Sequence, residues 1–135
     1  METTTRWVKD MEFVSEFDGH EINLNGASGA DGKRLGFGPK ALLLSGLAGC
    51  SGIDVVEILQ KMKVPFTKLK IFTQAQLVET HPKVFKDITI IYSIDADPEH
   101  EDKVKRAVNL SLEKYCGVAG MLKKNSDIIP KVHLI

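Results

Sequence analysis

The period of the apolar positions changes several times along the chain, and each change marks an element. From Thr5 to Leu24 the apolar residues Trp7, Val8, Met11, Phe13, Val14 and Phe17 lead to Asp18-Gly19, after which Glu21-Ile22-Asn23-Leu24 alternates polar with apolar. Extended segments on either side of a glycine turn predict a β-hairpin. Gly26 to Gly38 holds five of the eleven glycines with Ser28, Asp31, Lys33 and Arg34, a composition of turns and of a flexible loop. Pro39 suits the first turn of a helix, where its missing N–H costs nothing, and the helix is expected to run to about Lys63. From Ala41 to Ile53 it is apolar nearly all round, with Gly46, Gly49 and Gly52 at intervals of three. Such a helix is expected to be central and covered on several sides, with close packing around Cys50.

Beyond Val64-Pro65 two segments alternate with period two. Leu69, Ile71, Thr73, Ala75 and Leu77 share one face of the first, and Ile88, Ile90, Tyr92 and Ile94 one face of the second. The intervening Glu79-Thr80-His81-Pro82-Lys83 predicts an antiparallel pair. Asp97-Pro98-Glu99 reads as a helix start, with aspartate as N-cap and acids in the first turn. Val104, Ala107, Val108, Ser111, Leu112 and Tyr115 keep the spacing of one buried stripe, Tyr115 reaching a polar partner with its hydroxyl. A short helix from Gly117 to about Lys124 and a last strand with Val132 and Leu134 complete an α+β chain without repeats.

With 135 residues, 43% of them hydrophobic, the expectation is a single domain over 1–135. Eighteen basic residues balance eighteen acidic ones, so no net field favours nucleic acid or an anionic membrane. The first residues lack a secretory pattern, and no uninterrupted apolar run approaches the roughly 20 residues of a spanning helix, so a cytoplasmic protein is expected. Four scattered histidines and two cysteines without CxxC provide no sequence-readable zinc site. Neither metal nor bound cofactor is expected.

The two cysteines carry the candidate chemistry. Cys50 lies in an apolar helix, where the default is a small inert core residue. Cys116 stands between two helices, its thiolate favoured by the N–H groups opening at Gly117 and disfavoured by the helix end before it. Two thiols within reach of each other can reduce a peroxide and recycle through a disulfide. Asp54 falls one turn after Cys50 on the same face, either as a functional carboxylate or as the structural partner of a basic side chain. Lys33, Arg34 and Lys40 are cations near the glycine loop that also read as solvated surface.

At Gly38-Pro39-Lys40-Ala41-Leu42-Leu43-Leu44, Leu47-Ala48-Gly49-Cys50 and Tyr115-Cys116-Gly117-Val118 the sequence resembles the OsmC/Ohr family of thiol-dependent peroxide-reducing proteins. Asp54-Val55-Val56, Glu79-Thr80-His81-Pro82 and Glu113-Lys114-Tyr115-Cys116 resemble a YhfA-like branch of it. The resemblance implies an α+β OsmC-like fold, with antiparallel sheets packed on two main helices in an intertwined homodimer. It also implies peroxiredoxin-like oxidative-stress defence, with Cys50 attacking an organic hydroperoxide, Cys116 resolving the product as a disulfide, and a dithiol reductant restoring both. The chain departs from the hydroperoxidases where a glutamate follows the proline: here that residue is Lys40, with Arg34 as a candidate accompanying arginine. Ten residues along one helix separate Lys40 from Cys50 by roughly 15 Å, so a lysine assisting Cys50 would come from the partner subunit across a twofold axis. The alternative expectation is a noncatalytic dimer that binds a small apolar ligand or senses redox state through its cysteines.

Overall fold

A computed structural model describes all residues, 1–135, which form two compact units, Met1–Leu43 and Leu44–Ile135. The first unit contains an antiparallel meander of β1 (Thr4–Lys9), β2 (Glu12–Phe17) and β3 (His20–Asn25), with β2 central. Asp18 and Gly19 take φ of 50° and 79° in the β2–β3 turn, the left-handed pair that a two-residue hairpin needs. The expected hairpin is there, preceded by a strand that the sequence did not separate. The turn between β1 and β2 has no glycine: Asp10 adopts φ 44°, and its carbonyl accepts from Trp7 Nε1 at 2.9 Å. The glycine-rich segment after β3 is tied by backbone bonds from Gly29 N–H to Lys33 O and from Leu35 N–H to Ala27 O.

The second unit is built on a three-stranded sheet in the order β4 (Leu69–Leu77), β5 (Phe85–Ile94), β6 (Ile128–Leu134). β4 and β5 pair antiparallel with Ile71 opposite Tyr92, while β6 pairs parallel to β5 with Val132 opposite Tyr92. The parallel pairing follows from the helical crossover between β5 and β6, which returns the chain to the starting end of the sheet. The crossover comprises a 3₁₀ turn at Pro98–His100, α2 (Glu101–Leu110), a π-helical turn at Ser111–Tyr115, and α3 (Gly117–Leu122). Asp97 caps its start as expected, accepting from Glu99 N–H at 3.0 Å. Replacing that acceptor in Asp97→Ala should cost about 1 kcal/mol, seen as a lower urea midpoint at unchanged slope.

Ile88, Ile90, Tyr92 and Ile94 are fully buried on one face of β5 and join Val104, Ala107, Val108 and Leu112 of the crossover in a single core. The helix α1 (Pro39–Lys61) contributes Leu47, Val55 and Leu59 to that core. Tyr115 leaves the expected stripe: it is 54% exposed, and Lys114 Nζ lies over its ring, whereas Cys116 is buried. The π turn is the reason. Cys116 N–H bonds to Ser111 O five residues back, and the extra residue in that turn rotates the following positions by about a quarter turn relative to a regular helix.

Within a single chain α1 is covered along one face, where several covered sides were expected. Its buried positions are Leu47, Ser51, Val55 and Leu59, one face only, and Ile53 is 70% exposed. Close approach occurs at Gly52, where a Cβ would lie 2.9 Å from Ile71 Cδ1, while Gly46 and Gly49 face open space. Over 18 residues the mean hydropathy of α1 reaches 1.7, enough by length and composition alone to cross a bilayer, although no uninterrupted apolar run is that long. Glycines and serines break the run without lowering its average much. One buried stripe, with Ser51 bonded to Tyr92 of β5, packs α1 on the core of the second unit.

Candidate active site

Cys50 and Asp54 are one turn apart on α1, and Cys116 ends the crossover helix and caps α3. The two sulfurs and a carboxylate oxygen of Asp54 all lie within 4.8 Å of one another. Both cysteines are free thiols, Cys50 half-buried and Cys116 buried with 5% exposure. The structure thus assembles the three candidate side chains that belong to the second unit. Lys40 and Arg34 belong to the first unit, where the Arg34 guanidinium donates to Gly26 O at 2.9 Å within its own loop.

Cys116 Sγ accepts from Ala119 N–H at 3.3 Å, as an N-cap does. Burial nevertheless dominates, and with the neighbouring Cys50 thiol and the Asp54 charge it pushes the Cys116 pKa up to about 11, against the lowering by Ala119 N–H. The helix opening at Gly117 therefore helps the thiolate without deciding its charge.

Asp54 has a hydroxyl partner, not the basic one expected of a structural role. Ser111 Oγ lies 2.9 Å from Asp54 Oδ2 and 2.9 Å from Ser51 Oγ, and Ser51 Oγ lies 2.5 Å from Tyr92 Oη. Each hydroxyl has one proton. Donation from Ser111 to the carboxylate therefore orders the others, Ser51 donating to Ser111 and Tyr92 to Ser51. Ser51, Ser111 and Tyr92 are all fully buried, and no buried side-chain N or O lacks a partner. The tyrosine pKa is pushed up to about 12, chiefly by burial, which keeps Tyr92 a donor. Periodicity alone places Ser111 and Tyr92 on buried faces and assigns no role to their hydroxyls or to that of Ser51. The available signal was serine at two positions of otherwise apolar stripes, 51 and 111.

Beside Asp54 opens a groove of about 370 Å³ bordered by Glu57, Ile58, Lys61, Met62, Leu110 and Tyr115. Lys61, the cation in its wall, is paired with Glu57 at 2.7 Å.

A mixed α+β unit thus gathers a buried thiol, a half-buried thiol and a carboxylate within 4.8 Å of one another. The sequence model for "OsmC-like protein" matches residues 30–131, and the chain belongs to this family. It is 34% identical over 129 residues to Protein YhfA of Escherichia coli, covering 95% of this chain and 93% of that protein. Among solved structures it is similar to a hypothetical protein from Aquifex aeolicus, with TM-score 0.87, 29% identity and coverage of 99% and 95%. The fold also matches the organic hydroperoxide resistance protein OhrB of Bacillus subtilis, with TM-score 0.68, 19% identity and coverage of 97% and 96%.

Proposed function

We propose that the chain is a cysteine-based peroxidase that reduces organic hydroperoxides in oxidative-stress defence, with Cys50 as nucleophile and Cys116 as resolving thiol. The observation that carries this reading is the pair of unequal thiols, within 4.8 Å of each other but only one half-exposed. The Cys50 thiolate attacks a peroxide oxygen; the S–O bond forms, the O–O bond breaks, and the alkoxide leaves as alcohol after protonation. Cys116 then attacks the sulfenic sulfur, forming the disulfide and releasing the hydroxyl as water. A dithiol reductant returns both thiols by exchange and itself leaves as a disulfide. The raised pKa of Cys116 means that its proton has to be taken at that step, and the adjacent Asp54 carboxylate is the base of the set. The shared fold with an organic hydroperoxide resistance protein supports the substrate class.

The acting species in this proposal is an intertwined homodimer. In the first unit Trp7, Met11, Ile22, Leu35 and Phe37 are at least half exposed, and Ile53 on α1 borders an open apolar groove with Val56, Leu69 and Ile71. A second copy would cover these surfaces and would bring Lys40 of the partner subunit, or alternatively Arg34, toward Cys50. Two free thiols fit a reducing, cytoplasmic setting.

The test is dithiol-driven turnover with cumene hydroperoxide beside hydrogen peroxide. Wild type should consume the organic peroxide faster, and Cys50→Ser should fall to the uncatalysed rate. A second reading, a noncatalytic dimer holding a small apolar ligand, is favoured by Lys40 in place of the hydroperoxidases' glutamate. Absent turnover together with slow, unselective thiol alkylation would establish that reading instead.

A further inference from the structure

The geometry points to a metal site: in the reduced protein, Cys50, Asp54 and Cys116 bind one thiophilic divalent cation of the zinc class. Their three ligand atoms lie within 4.8 Å of one another. Tetrahedral zinc, with Zn–S of about 2.3 Å and Zn–O of about 2.0–2.2 Å, holds such atoms roughly 3.5–3.8 Å apart. The cluster therefore has to contract by about 1 Å, within reach of small side-chain rotations. Two thiolates and one carboxylate select zinc-class ions over magnesium or calcium, which take oxygen ligands alone.

The groups around the ligands are those of a built site. Ser111 Oγ holds Asp54 Oδ2 at 2.9 Å, leaving the second carboxylate oxygen to offer, and Ser111 is itself fixed through Ser51 and Tyr92. Ala119 N–H holds Cys116 Sγ at 3.3 Å. Outer hydrogen bonds of this kind orient ligands before the ion arrives. Of the three ligands, Asp54 also borders the groove of about 370 Å³.

Binding converts two thiols into two metal–sulfur bonds and releases two protons, and no electrons move. Oxidation to the disulfide removes both thiolates, so the ion and the disulfide exclude each other. Zinc would thus shield the pair from peroxide. That consequence rests on the peroxidase reading, whereas the metal site does not.

The full chain, freshly reduced, would be titrated without oxygen with zinc against a chromophoric chelator, and with cobalt as a spectroscopic probe. One ion per chain and a near-ultraviolet thiolate-to-cobalt band are expected. Both should vanish in Cys50→Ser and in wild type oxidised to the disulfide, and both should return when that same sample is reduced. Asp54→Asn should weaken zinc binding by at least about tenfold. No binding by the reduced wild type, equal affinity in both redox states, or an unaltered affinity in Asp54→Asn would overturn the three-ligand site. The oxidised control needs no substitution, so misfolding of a variant cannot decide the result. Zinc binding together with no peroxide turnover by the reduced, metal-free protein would support the metal site and reject the peroxidase; turnover without zinc binding would reject the metal site alone.

Discussion

Cys116→Ser should turn a cycling reaction into a single event. Each chain is expected to consume one equivalent of cumene hydroperoxide and then stop, with steady-state turnover lower by at least about a thousandfold, as expected when a member of a covalent mechanism is removed. On the proposed mechanism the half-exposed Cys50 would still be met by peroxide and become a sulfenic acid, but no second sulfur would stand within 4.8 Å to displace the hydroxyl. A sulfenate-trapping reagent should therefore label Cys50 stoichiometrically in Cys116→Ser, transiently in wild type, and not in Cys50→Ser. The readout separates the two roles, because a purely structural contribution of Cys116 would lower labelling and turnover together. Full steady-state turnover in Cys116→Ser would refute its role as resolving thiol.

The thiols were legible in the sequence because their contexts and order match a family. Asp54 was legible because a helix places i and i+4 on one face. What lay beyond reading was the hydroxyl chain. A serine within an apolar stripe looks like a small helix-compatible residue, and nothing local says that Ser111, Ser51 and Tyr92 come from three elements to converge. The π turn was equally hidden. Its i to i+5 bond has no compositional mark, so helical spacing assigned the buried position to Tyr115 when the wider turn gives it to Cys116. In the first unit the β2–β3 hairpin announced itself through Asp18-Gly19, but Asp10 makes the earlier turn with a left-handed backbone that a non-glycine residue seldom adopts. Tertiary context settled each of these, and periodicity carries only local information.

Stability should collapse in alkali ahead of any loss from the exposed charges, because the two acids buried around the site are both shifted upward. Cys116 is moved from 9.0 to about 11 and Tyr92 from 10.0 to about 12, in each case chiefly by burial. Both are neutral in the native state at moderate pH. For an acid whose pKa is higher folded than unfolded, the unfolded chain gives up its proton first. The stabilisation is complete below the unfolded pKa and is lost as pH rises to the folded one. The window therefore opens near pH 9 with Cys116 and closes near pH 12 with Tyr92. Each group contributes on the order of 3 kcal/mol, since one pKa unit is about 1.4 kcal/mol, against a total of about 5–15 kcal/mol for a domain. The Cys116 thiolate, once formed, adds to the upward shift of Tyr92 through its charge. Urea unfolding between pH 8 and 12 should show the midpoint falling steeply above pH 9. Cys116→Ala should flatten the lower part of that fall, and Tyr92→Phe the upper part. Lys61 and Lys105 also lose their pairings with Glu57 and Glu101 in strong alkali, but wild type and both variants share that slope, and the difference curves remove it. Difference curves that stay level from pH 8 to 12 would mean that neither group is held neutral by the fold.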